Sequence, residues 1–292
     1  MPTIRIDDPA DPRLDDYRNL NSSDSRPDLP GGKGLVIAEG SLVLPRLLAS
    51  PYPVRSVVGF ASQLAKISDA NGLNKYEVTR DTLRQVAGFD MHRGLVAAAD
   101  RITESSVAEV LEGIPKGPST IAILEGVADH ENIGALFRNA AGLGVDAVLF
   151  GAATADPLYR RVVRVSMGHV LRVPWARFEG KTTNWQHGLQ MVKDAGFTVV
   201  AMTPDTDVTL AEAVARGQST SGKPGRVAIM VGAEGPGLTE HAMRAADVRA
   251  KIPMAAGMDS LNVATAAASG STRRSTPRAS PAGRRASKRT AG

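Results

Sequence analysis

Three stretches of the 292-residue chain place polar side chains just after apolar runs. In "DHENIGALFRNAAGLG", Asn132 stands at the start of a helical pattern and Arg138 lies six residues on, inside it. In "IMVGAEGPGLTE", a Gly-rich loop carries one carboxylate, Glu234, and glycines at 232, 235 and 237 let backbone approach a ligand closely. In "KIPMAAGMDSLNVATAAA", Ser260 and Asn262 stand at the start of the last helical run. Taken singly, each has a plain structural role: Asn132 or Ser260 as a helix cap, the glycines as a turn, Arg138 reaching solvent. As an ordered set at strand ends, they point to one site.

Other chemistries are poorly supported. The chain has no cysteine, so disulfides and thiolate metal sites are excluded. Its five histidines do not form H-E-x-x-H, and no G-x-S-x-G, P-loop or G-x-G-x-x-G frame occurs. No metal is expected. No apolar run approaches the roughly 18 residues a membrane helix needs, and the start "MPTIRIDDPADPRLDD" lacks a signal-peptide core. A cytoplasmic protein with no membrane partner is expected. Residues 269–292 hold seven of the 35 basic residues and no acid. The rest carries 28 basic against 30 acidic residues, so any nucleic-acid contact there must come from local patches.

The elements that position these residues follow from periodicity. Residues 1–33, rich in Asp, Pro, Ser and Gly, predict a loosely ordered arm. Residues 34–101 predict a small α/β unit, with Thr79 capping a helix. Residues 102–118 read as a linker. From residue 119 to 268, strands such as "TIAILEG", "AVLFG", "FTVVAMT" and "RVAIMVG" alternate with helices such as "ENIGALFRNAAGLG" and "PLYRRVVRVSMGHV". That alternation predicts a mostly parallel sheet covered on both faces, with ligands beyond the carboxyl ends of its strands.

"NIGALFRNAAGLGVDAVLF", "IMVGAEGPGL" and "IPMAAGMDSLNVATAAA" resemble the three motifs of the SpoU/TrmH class of RNA ribose 2′-O-methyltransferases, in the SPOUT superfamily. "DPLYRRVVRVSMGHVLRVPW" resembles the segment between the first two motifs. Residues 34–101, with "EGSLVL" and "AGFDMHRGLVAAADR", resemble the L30e-like substrate-binding domain of rRNA-directed members. The resemblance covers residues 34–268. It implies a C-terminal trefoil-knotted sheet, S-adenosylmethionine as methyl donor, and a homodimer with the site near its interface. Asn132 and Arg138 match the first-motif functional pair, Glu234 the second-motif acid, and Ser260 with Asn262 the third-motif polar pair. Gly232, Ile252 and Leu261 match the cofactor contacts, and Thr203, after "VVAM", stands on the cofactor side.

Methyl transfer to a ribose hydroxyl needs alignment and help in losing the hydroxyl proton. Arg138 stays protonated, so its implied part is to stabilise developing oxyanion character, worth about 3–4 kcal/mol for a well-placed donor. Glu234 would orient Arg138 or Asn132. Of the basic residues in the small unit, Arg93 in "MHRG" is the candidate RNA contact. The appended domain points to ribosomal RNA over tRNA. A tRNA 2′-O-methyltransferase and a non-catalytic RNA-binding protein that keeps the fold are the alternatives.

The last helix should run from Asn262 to Ala268. Behind it, "SGSTRRSTPRASPAGRRASKRTAG" has no acid, no aromatic and no aliphatic residue larger than Ala. It cannot bury an apolar stripe. It is either a basic tail that adds nonspecific RNA affinity or out-of-frame text of a GC-rich gene, the second being favoured. Residues 270–292 are expected to be disordered. Resequencing the gene decides the origin, since an intact frame excludes a sequencing error, and slow amide exchange across 270–292 would overturn the tail.

Overall fold

Strict alternation of side chains organises the larger sheet. In β6 (Ser119–Leu124), Ile121 and Ile123 enter one hydrophobic core while Ala122 and Leu124 enter another. In β10 (Arg226–Val231), Val227, Ile229 and Val231 face the same side as Leu124, and Ala228 and Met230 the opposite side. A strand buried on both faces must be covered by helices on both. The computed structural model describes residues 3–21, 33–68, 72–218, 225–255, 258 and 261–271.

The larger sheet adds β7 (Ala147–Phe150), β8 (Trp175–Arg177), β9 (Thr198–Met202) and β11 (Val248–Ala250). Its order is β11-β9-β10-β6-β7-β8, and every pairing is parallel. The expected mostly parallel α/β sheet is present. α5 (His130–Leu143), α8 (Leu210–Gln218) and α10 (Val263–Ser271) pack on one face; α7 (Leu189–Asp194) and α9 (Glu240–Ala245) pack on the other. Among the described residues, no helix is long and apolar enough to cross a membrane.

The smaller sheet consists of β1 (Ile4–Arg5), β2 (Leu35–Glu39), β3 (Val54–Gly59), β4 (Lys75–Glu77) and β5 (Leu95–Asp100). It is mixed, in the order β1-β4-β3-β5-β2. Thr79 caps α3 (Arg80–Ala87) as expected, its hydroxyl accepting from the Thr82 amide at 3.1 Å. One face of this sheet, with Val36, Val57 and Ala97, shares a continuous core with Phe137, Val162 and Leu171 of the larger unit.

Four expectations need correction. The arm is not loose over residues 3–21: β1 pairs with β4, and Ile6, Leu14, Tyr17 and Leu20 are buried against the small sheet. Four apolar residues scattered among Asp and Pro suffice to bury this segment, although the average composition reads as disorder. The linker contains a helix, α4 (Val107–Gly113), started by a Ser106–Glu109 capping box. Its Val107, Val110, Leu111 and Ile114 repeat at 3, 4 and 7 residues and bury against the larger sheet.

The single helix expected over "PLYRRVVRVSMGHV" is instead α6 (Arg160–Val165) followed by a 3₁₀ turn at His169–Leu171. Met167 and Gly168, at φ 53° and 80°, break it. The last helix reaches Ser271, past the expected end at Ala268, because Gly270 lets the chain lie on Ile229. The rest of the expected tail, 272–292, lies outside the described residues.

Leu14 is fully buried, and the Tyr17 hydroxyl lies 2.8 Å from the Ser56 carbonyl and 2.7 Å from its hydroxyl. Leu14→Ala should cost about 2–5 kcal/mol of unfolding free energy, and Tyr17→Phe about 1–3 kcal/mol. Denaturant titration of the two variants checks this; wild-type midpoints would show that the segment adds no stability.

Candidate active site

Parallel register lines up the strand ends. Leu124 of β6 pairs with Val231 of β10, and Met202 of β9 pairs with Ala250 of β11. The loops that follow therefore open on one edge. β10 and β6 are neighbours, yet the chain leaves β6 toward β7 and returns to β10 from β9. This is a topological switch point, where α/β sheets bind ligands. Asn132 follows β6 and Glu234 follows β10, so the first two motifs flank it.

The Asn132 side chain, 8% exposed, joins the three motifs. Its Nδ2 donates to Glu234 Oε1 at 3.0 Å, and its Oδ1 accepts from Asn262 Nδ2 at 2.7 Å. Asn262 Nδ2 also lies 3.4 Å from Glu234 Oε1. Asn132 is not the cap of α5; Asp129 is, accepting from the Glu131 amide at 2.7 Å. Asn262 does cap α10: its Oδ1 accepts from the amides of Ala264 and Thr265 at 3.0 and 3.4 Å. One side chain thus starts the last helix and closes the cluster.

Gly232 is required by the loop. A Cβ there would lie 2.1 Å from the Gly237 carbonyl carbon, because the chain doubles back through an Ala233–Gly237 bridge. Met202, Thr203, Pro204, Ile252, Met254 and Leu261 line an open, largely apolar cleft beside the cluster. Three of the four expected cofactor residues, Thr203, Ile252 and Leu261, meet there; Gly232 stands outside that lining.

Arg138 is not part of the cluster. Six residues along an α-helix turn it about 120° away from Asn132, and it is exposed. Ser260 lies outside the described residues. Among the described residues, no group of His, Asp and Glu could hold a metal ion.

The SpoU rRNA Methylase family model matches residues 119–269, which contain all three clustered side chains. The chain belongs to the SpoU rRNA methylase family. It is 53% identical over 265 residues to an uncharacterized tRNA/rRNA methyltransferase of Mycobacterium tuberculosis, covering 89% of this chain and 88% of that one. It is 30% identical over 202 residues to the 23S rRNA (guanosine-2′-O-)-methyltransferase RlmB of Ralstonia nicotianae, covering 69% and 76%. An AdoMet-bound rRNA methyltransferase from Sinorhizobium meliloti shares the fold, with TM-score 0.72, 24% identity and coverage of 92% and 96%. An RNA 2′-O ribose methyltransferase aligns with TM-score 0.69 and 25% identity, over 92% of this chain and 97% of that one. The SpoU chain is thus an RNA methyltransferase of this family.

Sequence reading missed Glu125 in this SpoU chain. It is 3% exposed at the end of β6 and accepts from Trp185 Nε1 at 2.6 Å and from the Thr239 amide and hydroxyl at 2.8 and 2.9 Å. Thr239 caps α9, so Glu125 anchors the far end of the loop that carries Glu234. The only signal was a carboxylate where β6 stops. Asn139, which donates to the Ala264 carbonyl at 3.3 Å and ties α5 to α10, was also unread.

Glu234→Ala removes the acceptor shared by two amides and should lower methyl transfer on the order of 10²-fold, the scale of a small misplacement of reacting groups. Glu234→Gln keeps one acceptor oxygen and should lose less. Single-turnover assays compare the two, and wild-type rates in Glu234→Ala would remove the cluster from the site.

Proposed function

We propose that the protein is an S-adenosylmethionine-dependent ribose 2′-O-methyltransferase acting on ribosomal RNA, as a homodimer in the cytoplasm. The observation that carries this reading is the Asn132–Glu234–Asn262 cluster, at the switch point and beside the cleft of Thr203, Ile252 and Leu261. The alignment with RlmB supports ribosomal RNA and the 2′-oxygen. The fold shared with an AdoMet-bound enzyme supports the methyl donor.

The residues present fit that donor. The cleft is mostly apolar, with Lys251 and Thr203 as its polar members, which suits an adenosyl group, and the backbone at the ends of β9 and β11 borders it. When bound, S-adenosylmethionine supplies an electrophilic methyl group. Asn132 and Asn262 hold the first turns of α5 and α10 in fixed register, and so fix the frame against which a ribose is placed. Glu234 orients both amides and is not assigned as the base. Arg138 cannot accept the proton as a guanidinium; its role is to stabilise the developing alkoxide. Because Arg138 lies off the cluster within one chain, the dimer is the natural way to complete the site. The trefoil knot belongs to this proposal, as do an L30e-like role for residues 34–101 in selecting RNA and the contact by Arg93, which is exposed and lies across Gly40.

Labelled methyl transfer from S-adenosylmethionine to total RNA, followed by ribose-methylation mapping in cells with and without the protein, tests the reading. A site in tRNA would replace the substrate, and no change in any RNA would remove the activity. Arg138→Ala should abolish transfer, by 10³-fold as an order of magnitude, while leaving thermal unfolding and calorimetric cofactor binding near wild type. Arg138→Lys should rescue little, since a point charge does not replace a planar fork.

A further inference from the structure

Most arginines on this surface are paired with acids. Arg5, Arg13, Arg80, Arg84, Arg161 and Arg244 each lie within ion-pair distance of a carboxylate. Among the described residues, Arg46, Arg138 and Arg172 have no such partner, nor do Arg93, Arg164 and Arg226; the first three stand on elements that meet at the junction of the two domains, since the helix of Arg46 and α5 both pack on the 3₁₀ turn of His169, which Arg172 follows. Arg46 comes from α1 (Leu44–Leu48) of the small domain, Arg138 from α5, and Arg172 from the residue after the 3₁₀ turn that carries His169.

The junction is built to hold Arg46 in place. Its Nη1 donates to the Met167 carbonyl at 2.7 Å and to the Leu42 carbonyl at 2.9 Å, one on each domain. An arginine has five N–H donors. The Nε–H and the Nη2 pair of Arg46 have no partner among the described residues. The Met167 carbonyl is presented by two successive left-handed residues, Met167 and Gly168. Gly168 packs so closely that a Cβ would lie 3.0 Å from Val43 Cγ1. Left-handed backbone at a non-glycine residue is unfavourable and persists only where its surroundings enforce it.

We infer that this junction is a binding site for the phosphodiester backbone of RNA, gripped by Arg46 from the small domain and by His169 and Arg172 from the methyltransferase domain, with Arg138 completing the set. The inference rests on the RNA methyltransferase reading and deepens it by naming where the RNA backbone lies between the two domains. Three arginines without carboxylate partners, on elements packed together at this junction, favour an anion bound between them. Their planar forks match phosphate oxygens. His169 responds to this field: burial, and then Arg46, Arg172 and Arg138, push its pKa below the usual histidine value. The patch is local, since outside residues 269–292 acids outnumber bases. A phosphate held here would set the RNA path from the small domain toward α5.

The test uses the full-length protein, a labelled RNA stem-loop and salt titration between about 50 and 200 mM. Arg172→Glu, Arg46→Ala and His169→Gln are compared with Arg244→Glu, a charge reversal on α9. Arg172→Glu should weaken RNA binding at least about tenfold and flatten the log–log salt slope by about 1. Calorimetric S-adenosylmethionine affinity should stay unchanged. Arg46→Ala should act in the same direction; if it fails to fold, Arg172→Glu and His169→Gln carry the test. Wild-type RNA affinity and slope in Arg172→Glu, or an equal loss in Arg244→Glu, overturns the site while leaving the methyltransferase reading intact. A wild-type protein that neither binds nor methylates RNA overturns both.

Discussion

A single buried amide holds the three motifs of this methyltransferase together. Asn132 donates to the carboxylate of Glu234 and accepts from the amide of Asn262, tying residues far apart in sequence into one cluster. A carboxamide can bridge a carboxylate and an amide in this way because it carries a donor and an acceptor on the same carbon. Aspartate would place a second anion beside Glu234, and leucine would leave two polar partners unmatched. Because Asn262 also caps α10, the same contact fixes where the last helix starts, and Asn139 then ties that helix to α5 along its length.

This amide contact works because the sheet brings its ends into register. Parallel pairing places the ends of β6, β10, β9 and β11 on one edge, and the crossover between β6 and β10 opens the space into which Asn132 and Glu234 project. Glu125 and Gly232 constrain the intervening loop, one by anchoring Thr239 and the other by allowing the backbone to fold back on itself.

The small domain is coupled to this frame by more than a tether. One of its sheet faces shares the apolar core of the larger unit. Ion pairs of a buried carboxylate with a partly exposed arginine, Glu39 with Arg160 and Asp156 with Arg101, cross the boundary. Docking that left Glu39 or Asp156 buried without its arginine would be unfavourable, so the pairs work against alternative arrangements of the two domains. RNA bound by both domains would therefore meet a nearly fixed angle between them.

The sequence by itself determined the alternation of strands and helices, the parallel sheet, the Thr79 cap and the placement of Asn132, Glu234 and Asn262 at strand ends. Those are local properties: periodicity, caps and glycine-rich turns are written in consecutive residues. It misjudged residues 3–21, where average polarity hid four well-spaced apolar anchors, and residues 102–118, where the Ser106–Glu109 box and the spacing of Val107, Val110, Leu111 and Ile114 were legible but outweighed by nearby Gly and Pro. Only the tertiary structure decided that Asn132 bridges two motifs while Arg138 turns away from them, and that Arg46 reaches across the domain junction to the Met167 carbonyl. The direction of a side chain follows from helix phase and from which elements pack together, and that packing is settled by burial summed over the whole chain.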